Sequence, residues 1–165
     1  MTADKLYLVG FMGAGKTSVA AALAQRLGWR AADIDQCVEA REHRSVATIF
    51  QQDGEAHFRQ AEREALAALV PERQLVVATG GGTFVDPENR GLMLADGQVA
   101  WLDVPLTGIL ARIPQDGSRP LASDRAQLEQ LYLRREIAYR DAHVRIDASG
   151  PIPEVVERLL AWLEY

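Results

Sequence analysis

Cysteine is nearly absent from this chain: Cys37 is the single one among 165 residues. That excludes an internal disulfide and any cage of cysteine ligands around a metal. No apolar run approaches the roughly 18 residues that a membrane-spanning helix needs, and repeats, low-complexity tracts and long linkers are missing as well. Basic residues are outnumbered, with 18 Lys and Arg against 23 Asp and Glu and a formal net charge of −5. A chain of that sign repels a phosphate backbone, so no nucleic-acid partner is expected, and any bound phosphate needs a locally built positive site. The histidines, His43, His57 and His143, show no metal-ligand spacing with one another or with Cys37. Any metal is therefore expected to be held by oxygen ligands and waters, not caged as zinc. Residues 1–5 lead into an apolar run too short for a signal peptide, and the cytoplasm is the expected location. The length and 48% hydrophobic content suit a single domain, 1–165, expected to act as a monomer without membrane attachment.

What is present begins with Gly10-Phe11-Met12-Gly13-Ala14-Gly15-Lys16-Thr17, placed after the apolar run Leu6-Tyr7-Leu8-Val9 and before an alanine-rich, helix-like segment. Gly10, Gly15, Lys16 and Thr17 fit the pattern G-x-x-x-x-G-K-[ST]. In such a loop backbone N–H groups wrap a phosphate chain, the lysine reaches the terminal phosphates and the hydroxyl binds magnesium. The helix that starts there adds its positive dipole end to the same anion site.

Short β-rich runs alternate with helical patterns along the chain. Strands are expected at 6–10, 31–35, 75–79, 99–103 and 144–147, and helices at 16–27, 45–52, 55–69, 88–95, 106–112, 126–139 and 153–162. This alternation implies an α/β fold with a parallel sheet covered by helices on both faces. Ligands of such sheets sit beyond the carboxyl ends of the strands. The phosphate loop, Asp33-Ile34-Asp35 and Thr79-Gly80-Gly81-Gly82 follow the first three strands and are expected to share one cleft. Val155, Val156, Leu159, Leu160 and Leu163 read as a docked helix face, and Trp101 as a core residue.

Asp33 and Asp35 are two apart at an expected strand end, so alternation would put both carboxylates on one side. One could hold a magnesium-bound water near Thr17, and the other could accept the proton of an attacking hydroxyl. Three consecutive glycines leave the backbone bare for a ligand to lie against. Arg59, Arg112, Arg119 and Arg135 are candidate readers of a negatively charged substrate, because guanidinium holds carboxylate or phosphate bidentately. Arg112 and Arg119 flank the helix-breaking run Ile113-Pro114-Gln115-Asp116-Gly117-Ser118, which suits a lid. Each of these signals has a plainer reading when taken alone: solvated loop acids, a simple glycine turn, surface arginines.

Taken together, the phosphate loop, Asp33-Ile34-Asp35, Asp53-Gly54-Glu55 with Phe58-Arg59, Thr79-Gly80-Gly81-Gly82, Glu88-Asn89-Arg90 and Arg119-Pro120-Leu121 resemble the shikimate kinase family nearly end to end. The resemblance implies a P-loop NTPase fold of three layers, α/β/α, with a five-stranded parallel sheet in the order 2-3-1-4-5. It further implies a substrate-binding region near 33–61, a phosphate loop near 10–18 and a lid near 112–125. The implied reaction is ATP plus shikimate to shikimate 3-phosphate and ADP, toward chorismate and the aromatic amino acids.

By the same resemblance Asp35 binds the substrate hydroxyls and acts as base, and Lys16 and Arg119 complete the catalytic set. Arg59 and Arg135 grip the shikimate carboxylate, with Gly80, Gly81 and Gly82 lining the substrate. Gly13, Ala14, Gly15, Lys16, Thr17, Ser18, Arg112 and Arg119 hold the nucleotide, Thr17 ligates magnesium, and Asp33 reaches it through water. The chain departs from the family pattern in two places. Ile137-Ala138-Tyr139 stands where Pro-Leu-Tyr is usual, so Arg135 is selected over Arg134 by its spacing to Tyr139. Ala148-Ser149-Gly150-Pro151 lacks the arginine that lies on adenine in many members, which leaves adenine to backbone groups or Arg112.

Two other readings compete. Another small-molecule kinase, such as a gluconate kinase, would share the phosphate loop and lid without requiring the Asp-Gly-Glu, Phe-Arg and triple-glycine set. A non-catalytic, nucleotide-gated binding protein would not need Lys16, Asp33, Asp35 and Arg119 together.

Overall fold

The computed structural model describes residues 3–112 and 125–164. Five strands occur in the order β1 (Lys5–Val9), β2 (Arg30–Asp33), β3 (Leu75–Ala78), β4 (Gln98–Asp103) and β5 (Val144–Asp147). The helices are α1 (Lys16–Leu27), α2 (Ile34–Glu42), α3 (Val46–Leu69), α4 (Pro87–Asp96), α5 (Leu106–Arg112), α6 (Arg125–Tyr139) and α7 (Ile152–Leu163), with a 3-10 turn at Thr83–Val85.

Every residue of β1 and β3 is buried, as continuous apolar runs in a parallel sheet covered on both faces should be. The sheet is parallel throughout and ordered β2-β3-β1-β4-β5, the expected arrangement of a three-layer P-loop fold. Because β1 is central, its carboxyl end delivers the phosphate loop to the middle of the sheet edge, and β2 and β3 deliver their loops beside it. Helix α1 packs on β1, β2 and β3 and against α7, whose Val155, Val156 and Leu159 are buried. Each such aliphatic side chain contributes about 2 kcal/mol by leaving water.

One charge sits inside this layer. Lys5 is fully buried at the opposite end of β1, where its ammonium donates to Leu69 O at 2.5 Å and pairs with Asp96 at 2.7 Å. It ties the C-terminal ends of α3 and α4 to the central strand.

One expectation fails locally. Strand 31–35 stops at Asp33, and an unforeseen helix, α2, starts at Ile34. The cause is a cap: the Asp33 carboxylate accepts the Gln36 N–H at 3.1 Å, which ends the extended run and starts the helix. The strand-alternation argument for Asp33 and Asp35 is thereby overturned, since Asp35 lies in the first turn of α2. The helices expected at 45–52 and 55–69 are both present: α3 is two helical segments meeting at a break at Gly54, whose non-helical φ of 82° and ψ of 177° suit glycine. Residue Arg119 and most of the expected lid lie outside the described residues. No helix among the described residues is long and apolar enough to cross a membrane.

Candidate active site

The chain leaves β1 through Gly10 at a φ of 149°. A side chain there would meet the Leu102 carbonyl of β4 at 2.6 Å, so only glycine lets the loop turn this close to the sheet. Gly15 occupies the N-cap of α1 with no side-chain cap, which leaves the first-turn N–H groups of the helix for an anion. Lys16 is 8% exposed, and its ammonium donates to Gly10 O and, at 3.2 Å, to Phe11 O. Burial lowers its pKa to about 8, with the Asp35 carboxylate pulling the other way. Gly13, Gly15, Lys16, Thr17 and Ser18 line a cavity of about 280 Å3 that also receives Asp33, Asp35, Gly80 and Gly81.

The Thr17 hydroxyl donates to Asp33 Oδ2 at 2.6 Å. Hydroxyl and carboxylate thus form an oxygen pair at the rim of the phosphate loop, while no cluster of three or more His, Cys, Asp or Glu among the described residues could cage a metal. That donor set fits magnesium, which keeps waters and phosphate oxygens in its shell and takes few ligands from protein.

Asp35 lines the same cavity as Lys16. Burial, then the Asp33 and Glu62 carboxylates, raise its pKa to about 6 against the pull of Lys16. The group is thereby ionised at neutral pH yet basic enough to take up a proton. The glycine loop runs alongside: a side chain on Gly80 would lie 3.1 Å from Asp35 Oδ1 and 3.3 Å from Glu62 Oε2.

Two guanidinium groups press on the rest of that loop. A side chain on Gly81 would meet Arg135 Nη1 at 2.6 Å, and one on Gly82 would meet Arg59 Nη2 at 2.6 Å. Arg59, Arg135 and Gly82 line a cavity of about 500 Å3 together with Glu55 and Arg134. Arg135 lies 5.8 Å from the Phe11 ring centre and has no carboxylate within ion-pair distance among the described residues. Burial and the nearby Arg59 cation both pull Arg135 below its ordinary pKa, opposed by Tyr139 and the Glu55 and Glu62 carboxylates. Two cations brought this close are stabilised by an anion between them. Arg134, the one-residue alternative, is exposed on α6 at the outer wall.

Sequence reasoning missed Glu62, which is fully buried and bonded to Arg59 at 3.1 Å and to the Thr83 hydroxyl at 2.9 Å. A signal existed. Phe58, Ala65, Leu66 and Leu69 mark the buried face of α3, and Glu62 is a charge at that helical spacing. It also missed Tyr139 as a contact of the glycine loop, where its hydroxyl meets Gly81 O at 2.5 Å.

On the far side of the phosphate loop, Arg112 donates to Gly13 O at 3.2 Å, Ala148 O at 3.1 Å and Ser149 O at 3.3 Å. With Gly13, Ala14, Val19, Pro151 and Ile152 it lines a further cavity of about 310 Å3, whose surface is mostly apolar. The histidines stand elsewhere. His57 pairs with Glu42, His143 accepts the Val99 N–H at 2.9 Å, and His43 caps α2 in a left-handed conformation.

Comparisons with known proteins identify the family. A family model described as Shikimate kinase matches residues 12–164. A curated shikimate kinase of Sulfurihydrogenibium sp. is 41% identical over 157 residues, covering 94% of this chain and 95% of that protein. A solved structure of shikimate kinase from Acinetobacter baumannii in complex with shikimate superposes with a TM-score of 0.92 at 33% identity, covering 99% of this chain and 94% of that one. The structure of the Aquifex aeolicus shikimate kinase superposes with a TM-score of 0.89, also at 33% identity, over 97% of this chain and 96% of that one. With the fold, the phosphate loop and a match over nearly its whole length, the chain belongs to the shikimate kinase family.

Proposed function

We infer that this protein is a shikimate kinase, transferring the γ-phosphoryl group of ATP to the 3-hydroxyl of shikimate to give shikimate 3-phosphate and ADP. Besides the family, one observation carries the reading. The glycine loop 80–82 has a carboxylate of raised pKa, Asp35, at one end and two guanidinium groups, Arg59 and Arg135, at the other, all beside a phosphate cradle. A small acid with a ring hydroxyl spans such a loop, its carboxylate on the arginines and its hydroxyl at Asp35.

In this reading Asp35 accepts the hydroxyl proton as the substrate oxygen forms its bond to the γ-phosphorus. The bond from that phosphorus to the bridging oxygen breaks, and ADP leaves with the electron pair. Lys16 and the N–H groups at the start of α1 neutralise the charge that spreads over the phosphoryl oxygens. Thr17 would hold magnesium, with Asp33 reaching it through water, and the ion when bound would supply neutralisation of the phosphate charge. Arg112 and the apolar wall of Pro151 and Ile152 would flank the base. Little covalent chemistry is asked of the protein; positioning dominates.

The rival small-molecule kinase reading makes a different demand on the clamp. Side-by-side incubation of ATP with shikimate or with gluconate, followed by phosphorus NMR of the products, separates the two. Shikimate 3-phosphate should form and phosphogluconate should not; the reverse pattern would replace this assignment. Binding of both ligands without any phosphorylated product would make the chain a nucleotide-gated binder instead.

A further inference from the structure

The carbonyl groups of the three glycines are held in two different ways. Gly80 O accepts the Thr83 N–H at 3.2 Å and Gly82 O accepts the Val85 N–H at 3.2 Å, both within the turn that enters the 3-10 segment. Gly81 O is instead held from 58 positions away, by the Tyr139 hydroxyl at 2.5 Å. The N–H groups of Gly81 and Gly82 donate to no other group among the described residues.

Tyr139 is suited to this contact. It is 2% exposed, and its ring tilts over Trp101 with centres 5.9 Å apart. Burial pushes its hydroxyl well above the ordinary phenol range despite the opposing Arg135 cation, so it keeps its proton and remains a donor. Four residues before it on α6, and hence on the same face, stands Arg135, whose guanidinium rests on Gly81. The side chain that would grip the substrate and the one that holds the loop arrive together when α6 docks.

The peptide between Gly81 and Gly82 has no Cβ on either side, so little steric resistance opposes its rotation as a rigid plane. In a trans peptide the carbonyl and the next N–H point in opposite directions. With the Gly81 carbonyl on Tyr139, the Gly82 N–H points the opposite way, and Gly82 is one of the residues that line the cavity with Arg59 and Arg135. The flipped plane would present a carbonyl in place of that N–H, which repels an anion.

We propose that Tyr139 is a positioning residue of the acceptor site, fixing the Gly81–Gly82 peptide so that a backbone N–H, and not a carbonyl, meets the acid held by Arg59 and Arg135. The proposal rests on reading that cavity as the shikimate site. Tyr139→Phe keeps the ring and removes the donor. Its expected effect is a rise of about tenfold in KM for shikimate, the loss associated with one buried hydrogen bond, with KM for ATP unchanged. In the nitrogen-15 NMR spectrum of the ligand-free protein, the Gly82 amide should be one sharp peak that broadens or doubles in the variant. A role in packing alone would lower Tm and raise both KM values together, and that result, or an unchanged shikimate KM, overturns the proposal. Should the variant not fold, titrating the unaltered protein with shikimate decides: the Gly82 amide proton should move downfield, and an unmoved peak overturns the proposal. Failure of the unaltered protein to phosphorylate shikimate would refute the function instead, and the ligand-free spectra would still test whether Tyr139 holds the peptide.

Discussion

Glu62 and Arg59 stand one turn apart on α3, with Arg59 Nη1 3.1 Å from one carboxylate oxygen of Glu62 and 3.3 Å from the other. The pair does two things at once. Glu62 fixes the guanidinium against Gly82, and its buried negative charge raises the pKa of Asp35. The proposed clamp for the acid and the tuning of the proposed base therefore share one side chain.

Removing that charge should separate the two effects. Glu62→Gln keeps an acceptor for Thr83 but leaves Arg59 less well held, and KM for shikimate should rise about tenfold. The acid limb of the pH profile of kcat/KM, expected near 6 from the raised Asp35 pKa, should move to lower pH, because a like charge has gone. An acid limb that stays in place would show that Glu62 does not tune Asp35.

Asp35→Asn should lower kcat by about a thousandfold, within the usual range for loss of a general base, and leave ATP binding nearly intact. The same change should stabilise the fold at neutral pH. The Asp35 pKa is raised from 3.8 to about 6 on folding, so the native state binds the proton more tightly. Its contribution to stability is complete below pH 4 and is lost as the pH rises through 6. At neutral pH the ionised group thus costs up to about 3 kcal/mol, and Tm of the Asn variant should exceed that of the unaltered protein at pH 7.5 but not at pH 4. Full turnover in this variant would remove Asp35 as base.

Arg59→Ala should weaken shikimate binding about a hundredfold, the scale of a partly buried charge-assisted pair. KM for ATP should stay the same, and the methyl ester of shikimate should bind both proteins about equally poorly. Calorimetric titration with the acid and the ester checks this; an unchanged affinity for the acid would contradict the carboxylate assignment.

Thr17→Ala and Asp33→Asn should each raise the magnesium concentration needed for half-maximal rate, by about tenfold, as expected when a ligand or its partner is lost. Asp33 also caps α2, so the Asn variant, which retains a capping oxygen, isolates the charge. Equal magnesium dependence in all three proteins would place the ion elsewhere.

The strands and the phosphate loop were legible because they rest on local patterns, apolar runs of strand length and Gly15-Lys16-Thr17 after one of them, whereas the order of the strands followed only from the family resemblance. Helix α2 was not, although its start carries a sign in Asp33 and Gln36, three residues apart as in a capping box. The apolar Ile34 drew the strand two residues too far, past alanines that are themselves weak strand formers. The break at 53–54 was read correctly as an interruption, but α3 resumes within one residue because Gly54 absorbs the kink. Burial is what sequence conveys least. The apolar spacing around Glu62 hints at its burial, but nothing local tells that Lys5 is fully enclosed while Arg134 is exposed, since each depends on what later covers it. The contact from Tyr139 to Gly81 joins segments 58 positions apart and is visible only in three dimensions.

The central claim is that Asp35, Lys16 and the Arg59–Arg135 pair act on one small acid at one place. ADP release measured by a coupled assay, with and without shikimate at fixed ATP and magnesium, tests it most directly. ADP should appear at a substantial rate only when shikimate is present, one molecule per shikimate 3-phosphate formed. ADP release at the same rate without shikimate, or none with it, would contradict the account.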